Sequence, residues 1–371
     1  MKVAIVVDNV PARIERLTKI ATGLRSTGNE VVVLCPSSVQ VLPQYRVLRV
    51  PCLSPNPLLH YVTFAFSIFV MLLALPRRIV HYVNHPDFAV HAVCAASKLG
   101  GHKLVYDRRV DFGGVVARRH PRAAKLARAL EETGFRCATA ITVDSPSRKQ
   151  ACLRFLSKLE VIPNGVEIEK FNVQKTKHTG FVVTCVAALT EVEGVDIFIK
   201  AASIARKHDS SMRFQVVGDG ELRAKLVQLS DSLGDPVDFL GWVDHDHIPR
   251  VLAASDACVS SVLPIDYSRG AYPVKLFEYL ASGTPAIVSD VPGHLDVVRE
   301  GYDALVYSAN DPADLAKRIV DLSKSRQLCM HLSRNGRRTA TKYSWDKSFH
   351  KLLEIYQELE TSGRFEADNK S

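Results

Sequence analysis

Tyr272-Pro-Val-Lys-Leu-Phe-Glu-Tyr-Leu-Ala-Ser-Gly-Thr-Pro285, running on into Ala286-Ile-Val-Ser289, reads as a helix, a stop and a buried strand. Pro273 suits a first helical turn, where a missing N–H costs nothing. Gly283 stops the helix and Pro285 forbids its continuation. Ala286 to Ser289 is a short apolar run of the buried-strand type. Val274, Leu276, Phe277, Tyr279, Leu280 and Ala281 cover most of the helix surface, which predicts a buried helix. Glu278 therefore lies inside apolar surroundings and needs partners. Two remain open: Lys275, three residues earlier on the same face, or a pair of ligand hydroxyls such as those of a ribose.

The same rhythm recurs along the chain. In the front half, Val3–Val7 is a strand, Pro11 to Ser26 a helix and Val31–Cys35 a strand. In the back half, Phe181–Ala187, Val195 to Lys207 and Arg213–Val217 repeat the order. Further strands are expected at Ile79–Val83, Leu104–Tyr106 and Ala140–Val143, then at Val237–Leu240, Ala257–Ser260, Ala286–Ser289 and Leu305–Tyr307. Near-continuous apolar strands alternating with helices argue for parallel sheets covered on both faces. The expected architecture is α/β: two Rossmann-like, doubly wound parallel-sheet domains facing a cleft. Residues 1–172 form the first domain and 173–345 the second. The polar, lysine-rich segment from Asn172 to Gly180 is the expected linker, and a last helix begins at about Asp346.

At 371 residues, 47% hydrophobic and 23% charged, the chain has the length and composition of a two-domain globular protein. The net charge of +9 is unevenly placed. Residues 1–175 hold 25 Lys and Arg against 12 Asp and Glu, whereas residues 176–371 hold 23 against 27. A basic half serves nucleic acid, an anionic membrane surface or an acidic substrate. With no zinc-finger spacing and no RNA-motif aromatic pattern, nucleic acid ranks last. The eight cysteines form no Cys-x-x-Cys pair and read as small hydrophobes of a reducing, cytoplasmic setting.

Tyr61 to Leu75 carries no charge and is closed by Pro76-Arg77-Arg78. A spanning helix needs about 20 apolar residues, so this run reads as a buried or surface-lying helix. Its functional version lies in a membrane interface with Arg77 and Arg78 at the headgroups. Arg118, Arg119, Arg122, Lys125 and Arg128, crowded around Pro121, are either a solvated face or part of the same contact.

Several signals follow one another in order: Val161-Ile-Pro-Asn-Gly-Val166, Leu189-Thr-Glu-Val-Glu-Gly194, Val217-Gly-Asp-Gly-Glu221, Phe239-Leu-Gly-Trp-Val243, Ala254-Ser-Asp-Ala257, the 272–285 segment and Tyr343-Ser-Trp345. This ordered set resembles the family-4 group of retaining glycosyltransferases with the two-domain GT-B fold. The resemblance implies that the second domain holds a nucleotide-sugar, the first holds the acceptor, and the helix of 346–371 packs back on the first. It implies that Glu278 accepts hydrogen bonds from the donor ribose and that backbone near Trp242 and Val243 meets the base. Gly218 and Gly220, flanking Asp219, let backbone approach a ligand. The N–H groups of Val274 and Lys275 open the helix toward a diphosphate, with Lys275 adding charge unless it pairs with Glu278.

The chain departs from that family at the phosphate site. Its first loop, Asp8-Asn-Val-Pro-Ala-Arg13, has no glycine pair. Ala188 and Glu193 stand where an Arg and a Lys are usual, and Gly270 replaces an acid. Arg109 stands near the place of a frequent His. Arg13, Arg108, Arg109, Arg269 and Lys275 are candidates to restore the charge, and His85, in Asn84-His-Pro-Asp87, is the candidate histidine of the first domain. Arg109, His85 and Lys275 are thus the expected catalytic groups.

The expected activity is transfer of a hexosyl-type sugar to a glycan or lipid-linked acceptor of cell-surface polysaccharide or glycoconjugate synthesis. The expected place is the cytoplasm, peripheral on the inner membrane face, with no metal and no cofactor. The alternative is a non-catalytic GT-B partner or scaffold subunit of a glycan-assembly complex. A sugar epimerase of the same fold lacks a matching set of acids and histidines here.

Overall fold

The structure is a computed structural model. It describes residues 1–7, 14–36, 46–52, 57–83, 89–150, 152, 154–155, 159–176, 178–265, 272 and 274–368. His85, Arg269, Gly270, Pro273 and the 8–13 loop lie outside the described residues. Two compact units are present: Met1–Pro163 with Asp346–Ser371, and Asn164–Trp345.

The first unit runs β1 (Lys2–Val6), α1 (Ile14–Ser26), β2 (Glu30–Pro36), β3 (Arg46–Val50), α2 (Pro57–Ala74), β4 (Ile79–Val83), α3 (Val90–Gly100), β5 (Lys103–Arg108), α4 (Phe112–Arg119), α5 (Ala124–Cys137), β6 (Ala140–Val143), α6 (Pro146–Gln150) and β7 (Leu159–Val161). Its sheet is parallel throughout, in the order β3-β2-β1-β4-β5-β6-β7. One face is covered by Phe64, Ile68 and Leu72 of α2, Val90 and Val93 of α3 and Phe135 of α5. On the other face Leu17, Ile20 and Leu24 of α1 meet Leu352, Ile355, Tyr356 and Leu359 from the end of the chain.

The second unit runs β8 (Val182–Val186), α7 (Val195–His208), β9 (Arg213–Val217), α8 (Arg223–Ser232), β10 (Asp238–Gly241), α9 (Ile248–Ala253), β11 (Ala257–Ser260), α10 (Val274–Ser282), β12 (Ala286–Ser289), α11 (Pro292–Leu295), β13 (Ala304–Tyr307), α12 (Pro312–Ser323) and α13 (Arg326–Ala340). Its sheet order is β10-β9-β8-β11-β12-β13, again parallel. The last helix, α14 (Trp345–Asp368), belongs mostly to the first unit.

Two strands escape the sequence reading. β3, Arg-Val-Leu-Arg-Val, is a half-polar edge strand, and β7 spans three residues; neither has the apolar run that marks a central strand. The crossing between units comes at Pro163–Asn164, before the expected 172/173 boundary. Val166 pairs with Ser344 and Phe171 is buried in the second core. Lys175, in the expected linker, donates to the carbonyls of Leu252 (3.2 Å) and Ser255 (3.0 Å). Polar composition there reflects capping of the second unit, not a free tether. Among the described residues no helix is long and apolar enough to cross a membrane.

α14 is seated by shape and by one polar chain. A Cβ added at Gly23 of α1 would lie 2.6 Å from the Phe349 ring, so glycine admits the helix. The Tyr356 hydroxyl lies 2.7 Å from His81 Nδ1, and His81 Nε2 lies 3.2 Å from Asp107 Oδ2. Asp107 is fully buried and ionised, so Nε2–H donates to it, and the Tyr356 hydroxyl hydrogen-bonds Nδ1 on the other side of the ring. Tyr356→Phe removes that partner and is expected to cost about 1–3 kcal/mol, read as a lower midpoint in denaturant unfolding. An unchanged midpoint would remove the hydroxyl from the account of how α14 is held.

Candidate functional site

In open parallel sheets ligands bind beyond the carboxyl ends of the strands, where the strand order reverses. In the second unit that point lies between β8 and β11. Four loops converge there, those after β8, β9, β10 and β11. They are bound to one another: Leu189 N–H to Asp219 O (2.9 Å), Gly218 N–H to Gly241 O (2.7 Å), Leu263 N–H to Val192 O (2.8 Å) and the Ser261 hydroxyl to Glu193 O (2.8 Å). Gly218 has φ +137° and its missing Cβ would collide with the Ala187 carbonyl. A Cβ at Gly220 would lie 2.7 Å from both Leu189 N and Leu189 O. Both glycines are required by close approach of the β8 and β9 loops. Asp219 between them is exposed and accepts from Gly220 N–H at 2.8 Å.

α10 begins at Val274, and everything from Leu276 to Ser282 is buried. Gly283, at φ +67°, ends it as the sequence requires. Its two charged side chains do not pair with each other. Lys275 Nζ sits against Glu193 Oε2, and Glu278, 6% exposed, is met by His245 Nε2 at 2.7 Å. The reading of a Lys275–Glu278 pair is thereby corrected. Lys275 reaches the β8 loop, while Glu278 faces the loop after β10. Glu193, which reads as a repulsive charge in sequence, is one half of an ion pair. His245 was missed; its signal was Asp244-His-Asp246, where Asp244 caps the short turn by accepting from Asp246 N–H at 3.4 Å. Just before it, Trp242 is 72% exposed and Val243 packs partly on the core beside α10.

In the first unit Arg109 lies just past the carboxyl end of β5, but inside a buried polar cluster. Its NH2 is 2.6 Å from Asp107 Oδ1 and its NH1 donates to Ile162 O at 3.0 Å. Arg16 Nε (3.3 Å) and the Thr142 hydroxyl (2.6 Å) complete the surroundings of Asp107. Burial alone would raise that carboxyl; Arg16, His81 and Thr142 outweigh it and hold it below the usual range. Arg108 is taken by Glu131 at 2.7 Å. These arginines therefore compensate buried carboxylates at the edge where an acceptor site is expected.

Under the second site lies a neutral histidine. His294 of α11 donates from Nδ1 to Ser289 O (2.9 Å), so Nε2 accepts from the Ser260 hydroxyl (2.9 Å). Burial pushes its imidazole down to about 3. An unfolded histidine titrates near 6.5, so between those values the unfolded chain binds more protons. The group's contribution is complete above about pH 6.5 and is lost as pH falls, by about 1.4 kcal/mol per unit. His294→Gln is expected to flatten the fall in thermal stability between about pH 7 and about pH 5. An equally steep fall in the variant would place the acid sensitivity elsewhere.

The family model described as Glycosyltransferase Family 4 matches residues 16–170, and that described as Glycosyl transferases group 1 matches residues 166–339. An uncharacterized glycosyltransferase of Methanocaldococcus jannaschii is 29% identical over 201 residues, 54% of this chain and 53% of that one. The UDP-Gal:alpha-D-GlcNAc-diphosphoundecaprenol alpha-1,3-galactosyltransferase of Escherichia coli is 27% identical over 251 residues, 62% and 63% of the two chains. The chain spans about half the length of the curated relatives it matches. Among solved structures, Anabaena HepE in complex with UDP superposes with a TM-score of 0.77 at 18% identity, covering 96% of this chain and all of that one. Sucrose-phosphate synthase of Thermosynechococcus elongatus gives 0.79 at 16%, covering 98% and 100%. With a parallel-sheet unit under each family model and this fold likeness over nearly its whole length, the chain belongs to the GT-B glycosyltransferases of the family 4, group 1 type.

Proposed function

We propose that this chain moves a sugar from a nucleotide-diphosphate sugar to a glycan or lipid-linked acceptor in polysaccharide or glycoconjugate synthesis, with retention of configuration. The observation that carries the reading is Glu278. It is a buried carboxylate at the carboxyl edge of the second sheet, four residues after the N–H groups that open α10. A ribose donating two hydroxyls to Glu278 leaves its diphosphate toward the N–H groups of Val274 and Lys275, where the helix dipole favours negative charge. Trp242 and Val243 then lie on the base side, and Gly218, Asp219 and Gly220 form the neighbouring wall of the donor site.

The UDP-Gal donor of the E. coli relative and the UDP complex of HepE support a UDP-sugar as donor. The GlcNAc-diphosphoundecaprenol acceptor of that galactosyltransferase supports a lipid-linked acceptor, and we place the reaction at the cytoplasmic face of a membrane. The leaving diphosphate is stabilised by the α10 N–H groups and by cations, without metal. Lys275 is the cation nearest in place. Arg109, His85 and Arg269 remain the proposed further groups.

One observation favours the second reading, a non-catalytic GT-B partner in a glycan-assembly complex: Glu193 holds the charge of Lys275. The two readings separate in calorimetric titration with UDP-, GDP-, ADP- and CMP-sugars. Under the transferase reading one donor binds saturably and Glu278→Ala abolishes binding. Glu193→Gln releases Lys275 and is expected to tighten that donor about tenfold. Binding that appears only in Glu193→Gln, or in neither protein, would replace the transferase by the partner.

A further inference from the structure

We propose that the outer face of α2 and the basic cavity at its C-terminal end form a docking surface for an anionic bilayer. The proposal concerns the first unit alone and does not rest on the transfer reaction.

α2 is apolar on two faces. Phe64, Ile68 and Leu72 point into the core. Leu59, Val62, Phe66, Val70 and Leu73 are exposed, Phe66 by 69%, and successive members stand three or four residues apart, which makes one stripe along the helix. A globular helix places charge on its outer face, yet no charged residue occurs from Pro57 to Ala74. A contiguous exposed apolar stripe marks an interaction surface.

Beyond the C-terminal end of α2 the chain passes through Pro76 into Arg77 and Arg78, which line a cavity of about 960 Å³. Lys2, Arg77, Arg78, Lys98 and Lys103 line it, against the carboxylates Glu30 and Glu360. His102 joins cavity to helix: Nε2 is 2.9 Å from Leu72 O and Nδ1 accepts from Arg78 N–H at 3.3 Å. Two buried donors there have no hydrogen-bond partner among the described residues, Arg78 NH1 and Ser97 Oγ. Glu30 Oε1, at 3.8 Å from Arg78 NH1, is beyond hydrogen-bond reach. Both residues line the cavity, and a phosphate oxygen is a fitting acceptor for a guanidinium or a hydroxyl there. Leu99, next to Lys98, is 72% exposed and extends the apolar surface beside the cations.

The occupant must offer an apolar layer along a helix and phosphate groups at one end of it. A bilayer interface does both: an amphipathic helix sinks its apolar face to the acyl boundary while Lys and Arg reach the headgroups. Nucleic acid offers the charge without the apolar layer. The cavity lies at the amino ends of β1, β4 and β5, since Lys2 and Lys103 begin their strands and Ile79 begins β4. Docking there leaves the carboxyl edge with Asp107 and Arg109 uncovered. The Arg118–Arg128 run, grouped with Arg77 and Arg78 in sequence, spans the end of α4 and the start of α5 at the opposite end of the sheet and takes no part.

The test is co-sedimentation of the full chain with vesicles of equimolar phosphatidylglycerol and phosphatidylcholine, and with vesicles of phosphatidylcholine alone. Binding is expected to the first only. Arg77→Gln with Lys98→Gln should weaken it about thirtyfold, and Phe66→Glu with Val70→Glu should abolish it while thermal unfolding stays at the wild-type midpoint. No sedimentation with anionic vesicles would overturn the proposal. So would equal binding by the Phe66→Glu, Val70→Glu variant. Stabilisation by inorganic phosphate without vesicle binding would make the cavity a free-anion site instead. A wild-type dimer in light scattering that the Phe66→Glu, Val70→Glu variant loses, without vesicle binding, would make the stripe a self-association surface.

Discussion

A parallel sheet buried on both faces cannot leave either one to water, and the rest of this structure follows from meeting that requirement twice. Each strand needs a helix to return the chain to the amino edge, so each carboxyl edge collects loops. In the second unit the described parts of those loops interlock through backbone bonds at the point where strand order reverses, with Gly218 and Gly220 allowing the closest approach. In the first unit the helices between strands cover one face, but α1 leaves the other incomplete. The end of the chain supplies the missing cover, with Leu352, Ile355, Tyr356 and Leu359 packed on the strands. The final helix is therefore core material of the first unit, although it follows the second in sequence.

Burial then sets the electrostatics. A charged side chain removed from water is tolerated only when paired. At the second unit's edge the pairing is crossed: Lys275 goes to Glu193 and Glu278 to His245. Each pair ties α10 to a different loop, so both charged side chains of the helix brace it against its neighbours. In the first unit Asp107 gathers Arg16, His81, Thr142 and Arg109 from four segments. There the excess of basic residues is partly internal, spent on buried carboxylates instead of on a partner.

The two ends of the first sheet differ in kind. The carboxyl end holds a buried cluster of paired charges, Asp107 with Arg16, His81 and Arg109. The amino end carries a basic cavity, with Arg78 NH1 and Ser97 Oγ lacking a hydrogen-bond partner among the described residues, next to a helix that is apolar where water should be. Chemistry at one end and attachment at the other would let a single domain face an interface without covering the edge at which its sheet gathers functional side chains.

By itself the sequence determined the fold class, most of the strands, the helix–stop–strand unit at 274–289 and the two glycines after β9. These are properties of nearest neighbours: periodicity, helix stops and the backbone freedom of glycine act within a few residues. It also marked Glu278 as a buried carboxylate in need of a partner. Which partner was a tertiary matter. Lys275 was the near candidate at three residues' distance, but its chain reaches Glu193 across the β8 loop, and His245 arrives from 33 residues away. The edge strands β3 and β7 were illegible because an edge need not be apolar. The place of Arg109 was decided by Asp107, whose burial depends on four elements closing at once. The two apolar faces of α2 look alike in sequence; only the packing of Phe64, Ile68 and Leu72 against the sheet shows which one is left for water or for a lipid.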